Sequence, residues 1–182
     1  MQLLRRQQQR RSRLQVLDTA RLKYNLGEHL NVDSRSVHAF IIGEHGDSEL
    51  AAWSSATVSG VPINTFCEMR GHFNHDEATE RIAENVKNSA YEIIAKKKAT
   101  YFGVAMAVRR ICEAIIRDEK SILPVSNLMH GEFGISDISL SMPAIVGAHG
   151  VENRIPITLD EEETEKLQSS AGTLKKIIEE VL

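Results

Sequence analysis

The chain has 182 residues, of which 42% are apolar and 26% charged, and its formal net charge is −3 at pH 7. These values fit one globular domain, or a large part of a two-domain protein, with enough apolar material for a core. No apolar run reaches the roughly 18 to 20 residues that cross a bilayer, which excludes a membrane span. Cys67 and Cys112 are too few for a disulfide framework or a zinc site, and they indicate reduced thiols in a cytoplasmic protein.

Residues 1–15 differ in composition from the rest of the chain. They contain five arginines and no acidic residue, and taking these five charges from the net −3 leaves −8 on residues 16–182. An acidic body offers no electrostatic footprint for nucleic acid, and five arginines make a poor nucleic-acid arm. We therefore interpret residues 1–15 as a disordered or misjoined tail and residues 16–182 as the folded domain.

The first predicted elements follow this tail directly. Leucines recur every fourth position from Leu22 to Leu30, which predicts a helix from Asp18 to about Leu30. Asp18 or Thr19 is expected to cap its free N–H groups. The apolar run from Val37 to Ile42 then predicts a buried strand that ends at Gly43.

The remaining pattern alternates further helices and strands. Short strand candidates occur around Trp53 and at residues 61–63. Amphipathic or apolar periodicity predicts helices over residues 76–97, 99–117 and 160–182, the last with a capping box made by Asp160 and Glu163. Strands are predicted over residues 121–130, 138–146 and 151–157. This order lacks a repeated βαβ unit, so the predicted fold is α+β, with mixed helices and an antiparallel sheet.

The segment Gly43-Glu44-His45-Gly46-Asp47 is the strongest candidate for chemistry. A histidine between two glycines at a strand end can turn its ring towards a cleft, and imidazole exchanges a proton near neutral pH. A loop histidine satisfied by backbone groups is the alternative. Asp18 could hold the imidazole N–H, and Arg21, one helical turn later, could bind a carboxylate through two parallel hydrogen bonds. An N-cap role for Asp18 and a surface ion pair for Arg21 are the competing interpretations.

Two further patterns give negative results. The segment His72-Phe73-Asn74-His75-Asp76 has poor metal-ligand spacing and no second pair, so we interpret it as a loop in which Asp76 caps the next helix, and we expect no metal site. No G-x-G-x-x-G and no P-loop occur in the sequence. The chain therefore has no recognisable cradle for nucleotide phosphates.

Several blocks together resemble the bacterial L-lactate dehydrogenase family. They are Val16 to Arg21, Val37 to Glu49, Ala99 to Ala107 and Ser141 to Gly147, in the family's order. The similarity covers residues 16–182 and implies the C-terminal catalytic and substrate-binding domain of the lactate/malate dehydrogenase fold. It also implies that the N-terminal Rossmann domain, which carries most of the NAD site, is missing. The abrupt change in composition after Gln15 predicts a truncated or misjoined reading frame.

The resemblance implies a role for each matching residue. His45 would protonate the keto oxygen of pyruvate, Asp18 would orient His45, and Arg21 would bind the substrate carboxylate. Thr100 would line the substrate pocket and Val104 the nicotinamide. As partners, the family implies pyruvate and L-lactate and a homo-oligomer.

The family also implies an allosteric site for fructose 1,6-bisphosphate, and two residues fall on its positions. These are Lys23, where the family usually has arginine, and His38. Lysine keeps the charge but loses the bidentate fork.

Other functions remain open from the sequence. The isolated chain is expected to be inactive, because hydride transfer needs a bound nicotinamide. One alternative is a non-catalytic assembly or ligand-binding fragment that joins intact subunits. Another is half of an L-2-hydroxyisocaproate-type dehydrogenase, which would differ mainly in pocket residues that this chain lacks.

Overall fold

The computed structural model describes residues 2–98 and 101–181, with side chains over residues 15–98 and 101–180. Within these ranges the helices are α1 (Gln2–Leu30), α2 (Ile63–Met69), α3 (His75–Lys97), α4 (Phe102–Ile116) and α5 (Glu161–Val181). The strands are β1 (Val37–His38), β2 (Ile41–Ile42), β3 (Leu50–Ala51), β4 (Thr57–Val58), β5 (Val61–Pro62), β6 (Ser121–His130), β7 (Ser136–Gly147) and β8 (Gly150–Arg154). Every described strand pair is antiparallel, which confirms the α+β prediction.

The largest sheet has the strand order β6-β7-β8, with Ser121 paired to Val146 at one end. Two small sheets, β1-β4-β5 and β2-β3, come from residues 37–62. Gly43, just after β2, exchanges two backbone hydrogen bonds with Ser141 of β7, at 2.9 and 3.0 Å. This bridge joins the end of β2, and therefore the loop that follows it, to the largest sheet.

Three apolar clusters form the core, and α1 contributes to two of them. Leu22, Leu26 and Leu30 are fully buried in the cluster that also contains residues of β1, β2 and α3. Val16 belongs to a different cluster, with residues of α4, β6 and β7. Asp18 is therefore held between two packed regions, on a helix that both of them fix.

Helix α1 begins at Gln2, so the predicted start at Asp18 is wrong, and so is the N-cap role of that residue. Arginine, glutamine and leucine are good helix formers, and no glycine precedes Gly27, so nothing in the sequence stops the helix before Asp18. Gln15 is buried, and its side-chain amide donates to the carbonyl of Gly43 at 2.7 Å. The expected boundary after Gln15 thus falls inside a helix.

The predicted strand over residues 37–42 is divided into β1 and β2. The two halves have different partners, since Val37 pairs with Val58 and Ile41 with Ala51. The backbone N–H of Ile41 is also bonded to Thr19 of α1, at 2.9 Å. The change of partner breaks one apolar run into two strands.

Other predicted elements are confirmed with small shifts. The bounds of β6 match the prediction, α3 starts one residue earlier, and the strand at residues 61–63 is β5. Asp160 and Glu163 form the predicted capping box, with Glu163 N–H donating to Asp160 at 2.8 Å. The strand candidate around Trp53 is wrong, because residues 53–55 form a short 3-10 turn. No helix in the described part of the chain is long and apolar enough to cross a membrane.

Candidate functional site

Helix α5 holds the loop that carries His45. This loop follows β2 and bends at Gly43 and Gly46, which have φ values of 91° and 129°. A Cβ at Gly43 would stand 3.0 Å from the hydroxyl of Ser170, and that hydroxyl accepts the backbone N–H of Glu44 at 2.9 Å. Glycine is needed at position 43 both for its φ and for this close approach to α5. The loop is therefore anchored to α5 immediately before His45.

Three of the predicted site residues meet at this loop. The Nδ1 atom of His45 lies 3.3 Å from Oδ2 of Asp18, and Oδ1 of the same carboxylate accepts a hydrogen bond from Nη1 of Arg21 at 2.8 Å. Asp18 is 4% exposed, so this carboxylate lies out of water between an imidazole and a guanidinium. The structure places these side chains together, and their roles stay a prediction.

A second carboxylate in the cluster was not identified from the sequence. Oε2 of Glu49 also lies 3.3 Å from Nδ1 of His45, and this contact has hydrogen-bond geometry. His45 and Glu49 are four residues apart, in a turn that bends at Gly46. An acid four residues after a histidine was a visible signal, but only the glycine conformation shows that the two side chains meet.

The charges of the two carboxylates control the protonation of His45. Burial alone lowers the pKa of His45, but hydrogen bonding and charge from Asp18 and Glu49 outweigh that effect and raise this pKa to about 9. Burial and the nearby charge of Asp18 raise the pKa of Glu49, while the contact with His45 opposes the rise. The imidazole is therefore charged at neutral pH and can give up a proton to a bound acceptor.

The Nε2 atom of His45 is the one left for such an acceptor. Within residues 15–98 and 101–180, no side chain forms a hydrogen bond to Nε2, and the ring is 27% exposed. Arg21, with 18% of its side chain exposed, keeps donors besides the Nη1 that serves Asp18. The cluster thus offers a charged proton donor and a guanidinium fork, each in contact with one buried carboxylate.

The remaining predicted site residues are not members of this cluster. Thr100 falls outside the described residues. Val104 is half-buried in the first turn of α4, where Gly103 packs against Leu17 of α1, the neighbour of Asp18.

Lys23 and His38 have no described hydrogen bond or ion pair between them. Lys23 is half-buried in α1, where burial lowers its pKa, and His38 is exposed in β1.

Asp18, His45 and Glu49 are also the only group of possible metal ligands among the described residues, with one atom from each lying within 4.8 Å of the others. Among these atoms, Nδ1 of His45 is hydrogen-bonded to Oε2 of Glu49, and the other oxygen of Asp18, Oδ1, is paired with Arg21. His72 instead packs against the ring of His29, with centroids 4.9 Å apart. The predicted cap at Asp76 is wrong, because α3 begins at His75 with Asn74 at its N-cap.

The described residues do not fit a dinucleotide cofactor by themselves. A pyrophosphate cradle is built where a parallel strand turns into a helix, and all described strand pairs are antiparallel. Only Val104 remains as an expected contact to a nicotinamide.

Comparison with known proteins gives a consistent result. The model of the lactate/malate dehydrogenase alpha/beta C-terminal domain matches residues 16–182. An L-lactate dehydrogenase of Acetivibrio thermocellus is 52% identical over 163 residues, which are 90% of this chain and 51% of that protein. L-lactate dehydrogenase 1 of Lactococcus lactis subsp. lactis is 49% identical over 164 residues. The chain spans about half the length of the curated relatives it matches.

Solved structures agree in fold. The minor L-lactate dehydrogenase of Enterococcus mundtii, in its ligand-bound form, superposes with a TM-score of 0.85 at 42% identity, over 92% of this chain and 53% of that one. A lactate dehydrogenase from a deep-sea metagenome library gives a TM-score of 0.84 at 41% identity, over 88% of this chain and 51% of its own.

Proposed function

The chain belongs to the family of the lactate/malate dehydrogenase alpha/beta C-terminal domain, and from this premise we propose that it is the substrate-binding and proton-transfer half of an NAD-dependent L-lactate dehydrogenase. The proposed reaction is reduction of pyruvate by NADH and a proton to L-lactate and NAD, and its reverse. The proposed setting is the cytoplasm, as a homo-oligomer.

One observation carries the proposal. The buried carboxylate of Asp18 contacts Nδ1 of His45 through one oxygen, at 3.3 Å, and Arg21 through the other, at 2.8 Å. A 2-keto acid has a carboxylate next to its keto group. A guanidinium and an imidazolium held by one carboxylate match these two groups of the substrate.

Each side chain then has a defined task. The remaining N–H groups of Arg21 bind the pyruvate carboxylate and orient its keto oxygen towards Nε2 of His45. That imidazolium, kept charged by its neighbours, gives its proton to the oxygen as the carbonyl carbon is reduced, and the neutral ring takes a proton back in lactate oxidation. The nicotinamide supplies the hydride when it is bound. Asp18 contacts both partners and fixes their positions.

Further residues complete the proposal. Thr100 lines the substrate pocket, and Val104 presents an apolar side chain to the nicotinamide. Lys23 and His38 contribute to a fructose 1,6-bisphosphate site, in which Lys23 binds phosphate as a point charge.

By itself the chain is proposed to have no turnover. Positioning of two reactants supplies roughly 7 to 11 kcal/mol of a barrier, and His45 with Arg21 positions only one of them.

The test is a chimera. Residues 16–182 are joined to the N-terminal half of the Acetivibrio thermocellus relative, which ends at the residue before the one aligned with Val16. Pyruvate-dependent oxidation of NADH is then measured. His45→Asn in the chimera should lower kcat by about 10²- to 10⁴-fold, the usual contribution of a general acid. His149→Asn, at an exposed turn position, is the matched control and should leave kcat unchanged. A chimera that binds NADH and retains activity with His45→Asn contradicts the assignment.

A second candidate function is an assembly module without catalysis, favoured by exposed apolar side chains on α4. Phe102 is 79% exposed and Ile116 is 83% exposed. Mixing the chain with the full-length Acetivibrio thermocellus relative and sizing the product tests this function. A stable mixed oligomer that forms equally well with the His45→Asn chain supports the module, and two separate species contradict it.

A further inference from the structure

A closed cycle of hydrogen bonds joins α5 to the loop that carries His45. The backbone N–H of Glu44 donates to Oγ of Ser170 at 2.9 Å, and the Ser170 hydroxyl donates to Oγ of Ser48 at 3.2 Å. The Ser48 hydroxyl then donates to Oε2 of Glu44 at 2.8 Å. Each hydroxyl accepts one of these bonds and donates another. The cycle, formed by Glu44, Ser48 and Ser170, therefore begins and ends on the residue directly before His45.

Ser170 binds the loop on both sides of the imidazole. Glu44 precedes His45, and Ser48 follows it by three residues. Ser170 is 1% exposed, so its hydroxyl is shielded from competing water. Hydrogen bonds in a connected chain strengthen one another, and a buried polar group that loses its partner is costly. One hydroxyl from α5 thus holds both ends of the segment that presents His45.

Apolar packing fixes α5 against the two strands that flank this loop. Leu167, one turn before Ser170, lies in one buried cluster with Ile42 of β2 and Leu50 of β3. A Cβ at Gly43 would stand 3.0 Å from Oγ of Ser170 and 3.6 Å from Leu167. The Ser170 hydroxyl is therefore presented to the loop by a helix that is itself held by the core.

The residue that is proposed to bind the substrate carboxylate lies on a different element. Arg21 is on α1, and its hydrogen bond to Asp18 stays within that helix. Among the described residues, the hydrogen bonds of Ser170 go only to the loop. Loss of the Ser170 hydroxyl should therefore loosen the proton donor and leave the carboxylate-binding residue in place.

We propose that Ser170 is a positioning residue that holds the loop so that the imidazole of His45 stays between Asp18 and the keto oxygen of the substrate. The inference rests on the proposed function, in which His45 gives a proton to a keto acid bound by Arg21. Ser170 acts through Glu44 and Ser48 and does not touch the substrate.

The first test uses NMR on the full chain of 182 residues, without cofactor or turnover. Ser170→Ala should raise the exchange rate of the Glu44 amide by about tenfold, because this N–H loses its hydroxyl acceptor. The variant should also lower the pKa of His45 by about half a unit or more, because a looser loop weakens the contacts of the imidazole with both carboxylates. Ser169→Ala, at the exposed neighbour on α5, is the matched control and should change neither value.

Ser48→Ala opens the same cycle from the loop and provides a second variant if Ser170→Ala does not fold. It keeps the bond from Glu44 to Ser170, so the exchange rate of the Glu44 amide should rise by only about two- to threefold. In both variants the rise at Glu44 should exceed that at amides of β6, which separates a looser loop from a less stable fold. Unchanged Glu44 exchange and an unchanged His45 pKa, in whichever of the two variants folds, overturn the proposal.

The second test measures single-turnover oxidation of NADH by the chimera over a series of pyruvate concentrations. Ser170→Ala should lower the maximal rate by about tenfold, because the proton donor is less well placed. The pyruvate concentration at half the maximal rate should change by less than about twofold, since Arg21 is unaffected. Ser169→Ala should alter neither quantity. A maximal rate unchanged by Ser170→Ala, or a loss that falls wholly on pyruvate binding, contradicts the positioning role.

The two tests separate this inference from the proposed function. A chimera that is inactive before any substitution, together with the expected NMR changes, removes the dehydrogenase assignment and leaves Ser170 as the residue that holds the His45 loop. An active chimera in which Ser170→Ala changes neither the rate nor the NMR values keeps the assignment and removes Ser170 from it.

Discussion

The His45 cluster and the surface of α4 differ in how many of their contacts come from this chain. The cluster joins α1 and the loop after β2 through buried polar contacts, with both carboxylates 5% exposed. On α4, by contrast, Phe102 and Ile116 present nearly whole apolar side chains to solvent. The side chains of the His45 cluster find their polar partners within the chain, whereas the exposed apolar side chains of α4 lack a covering partner among the described residues. The difference is the one expected if, as proposed, proton transfer belongs to this chain and most of the cofactor contact does not.

The largest expected effect comes from removing the negative charge of Asp18, which contacts both His45 and Arg21. Asp18→Asn in the chimera should reduce kcat/KM by about 10²-fold or more, because His45 loses a charge that keeps it protonated and Arg21 loses its partner. The measurement is steady-state pyruvate reduction from pH 5 to 9. A variant with an unaltered pH profile would show that Asp18 is structural only.

Arg21→Lys tests the carboxylate clamp. Lysine keeps the charge but not the fork, and a charge-assisted hydrogen bond contributes about 1.5 to 3 kcal/mol. We therefore expect kcat/KM for pyruvate to fall by roughly 10- to 100-fold in the chimera, mainly through KM. Arg109→Lys, on the exposed part of α4, is the control. Equal effects of the two substitutions contradict the clamp.

For the His45 cluster, the comparison predicts how the free energy of unfolding depends on pH. The pKa of His45 is about 9 in the folded chain and near 6.5 in the unfolded chain. Protonation therefore stabilises the fold fully below about pH 6.5, and this contribution, up to about 3 kcal/mol, is lost as the pH rises through 9.

Urea unfolding of the wild-type chain and of His45→Asn between pH 6 and 10 measures this contribution as a difference. The wild type should lose its advantage over the variant across that range. Parallel curves contradict the raised pKa.

A smaller effect is expected at the surface of α4. Phe102→Glu should weaken self-association of the chain by about tenfold or more, since burial of a large apolar side chain contributes about 1.5 to 3 kcal/mol. Met69→Glu changes an apolar side chain of similar exposure on α2 and serves as the control. Sedimentation velocity over a concentration series measures both. If Met69→Glu weakens association as much as Phe102→Glu, the surface of α4 has no special role.

The sequence predicted the fold class and the neighbourhood of the site better than its details. The spacing of residues along the chain predicted α3, β6 and the capping box, because these features depend on neighbours in the sequence. The predicted start of α1 at Asp18 was wrong. The polar stretch before Asp18 consists of good helix formers, and it contains no residue that would stop a helix. Only the structure shows that Asp18 lies in the interior of a helix and not at its start.

Glu49 shows why the site could not be completed from the sequence. Its contact with His45 depends on the positive φ of Gly46 and on the anchoring of Gly43 at Ser170, which is far along the chain. Neither is visible in a pattern of residue types. The resemblance supplied Asp18, Arg21 and His45 as a group, and the geometry added the fourth member.

The most direct test of this account compares two rates of NADH oxidation with pyruvate, one for the chain of 182 residues and one for the chimera that adds the N-terminal half of the relative. The account predicts turnover by the chimera, and for the chain a rate equal to that of buffer, with both proteins folded by circular dichroism. Turnover by the chain alone, or a chimera that binds NADH but leaves pyruvate unreduced, would contradict it.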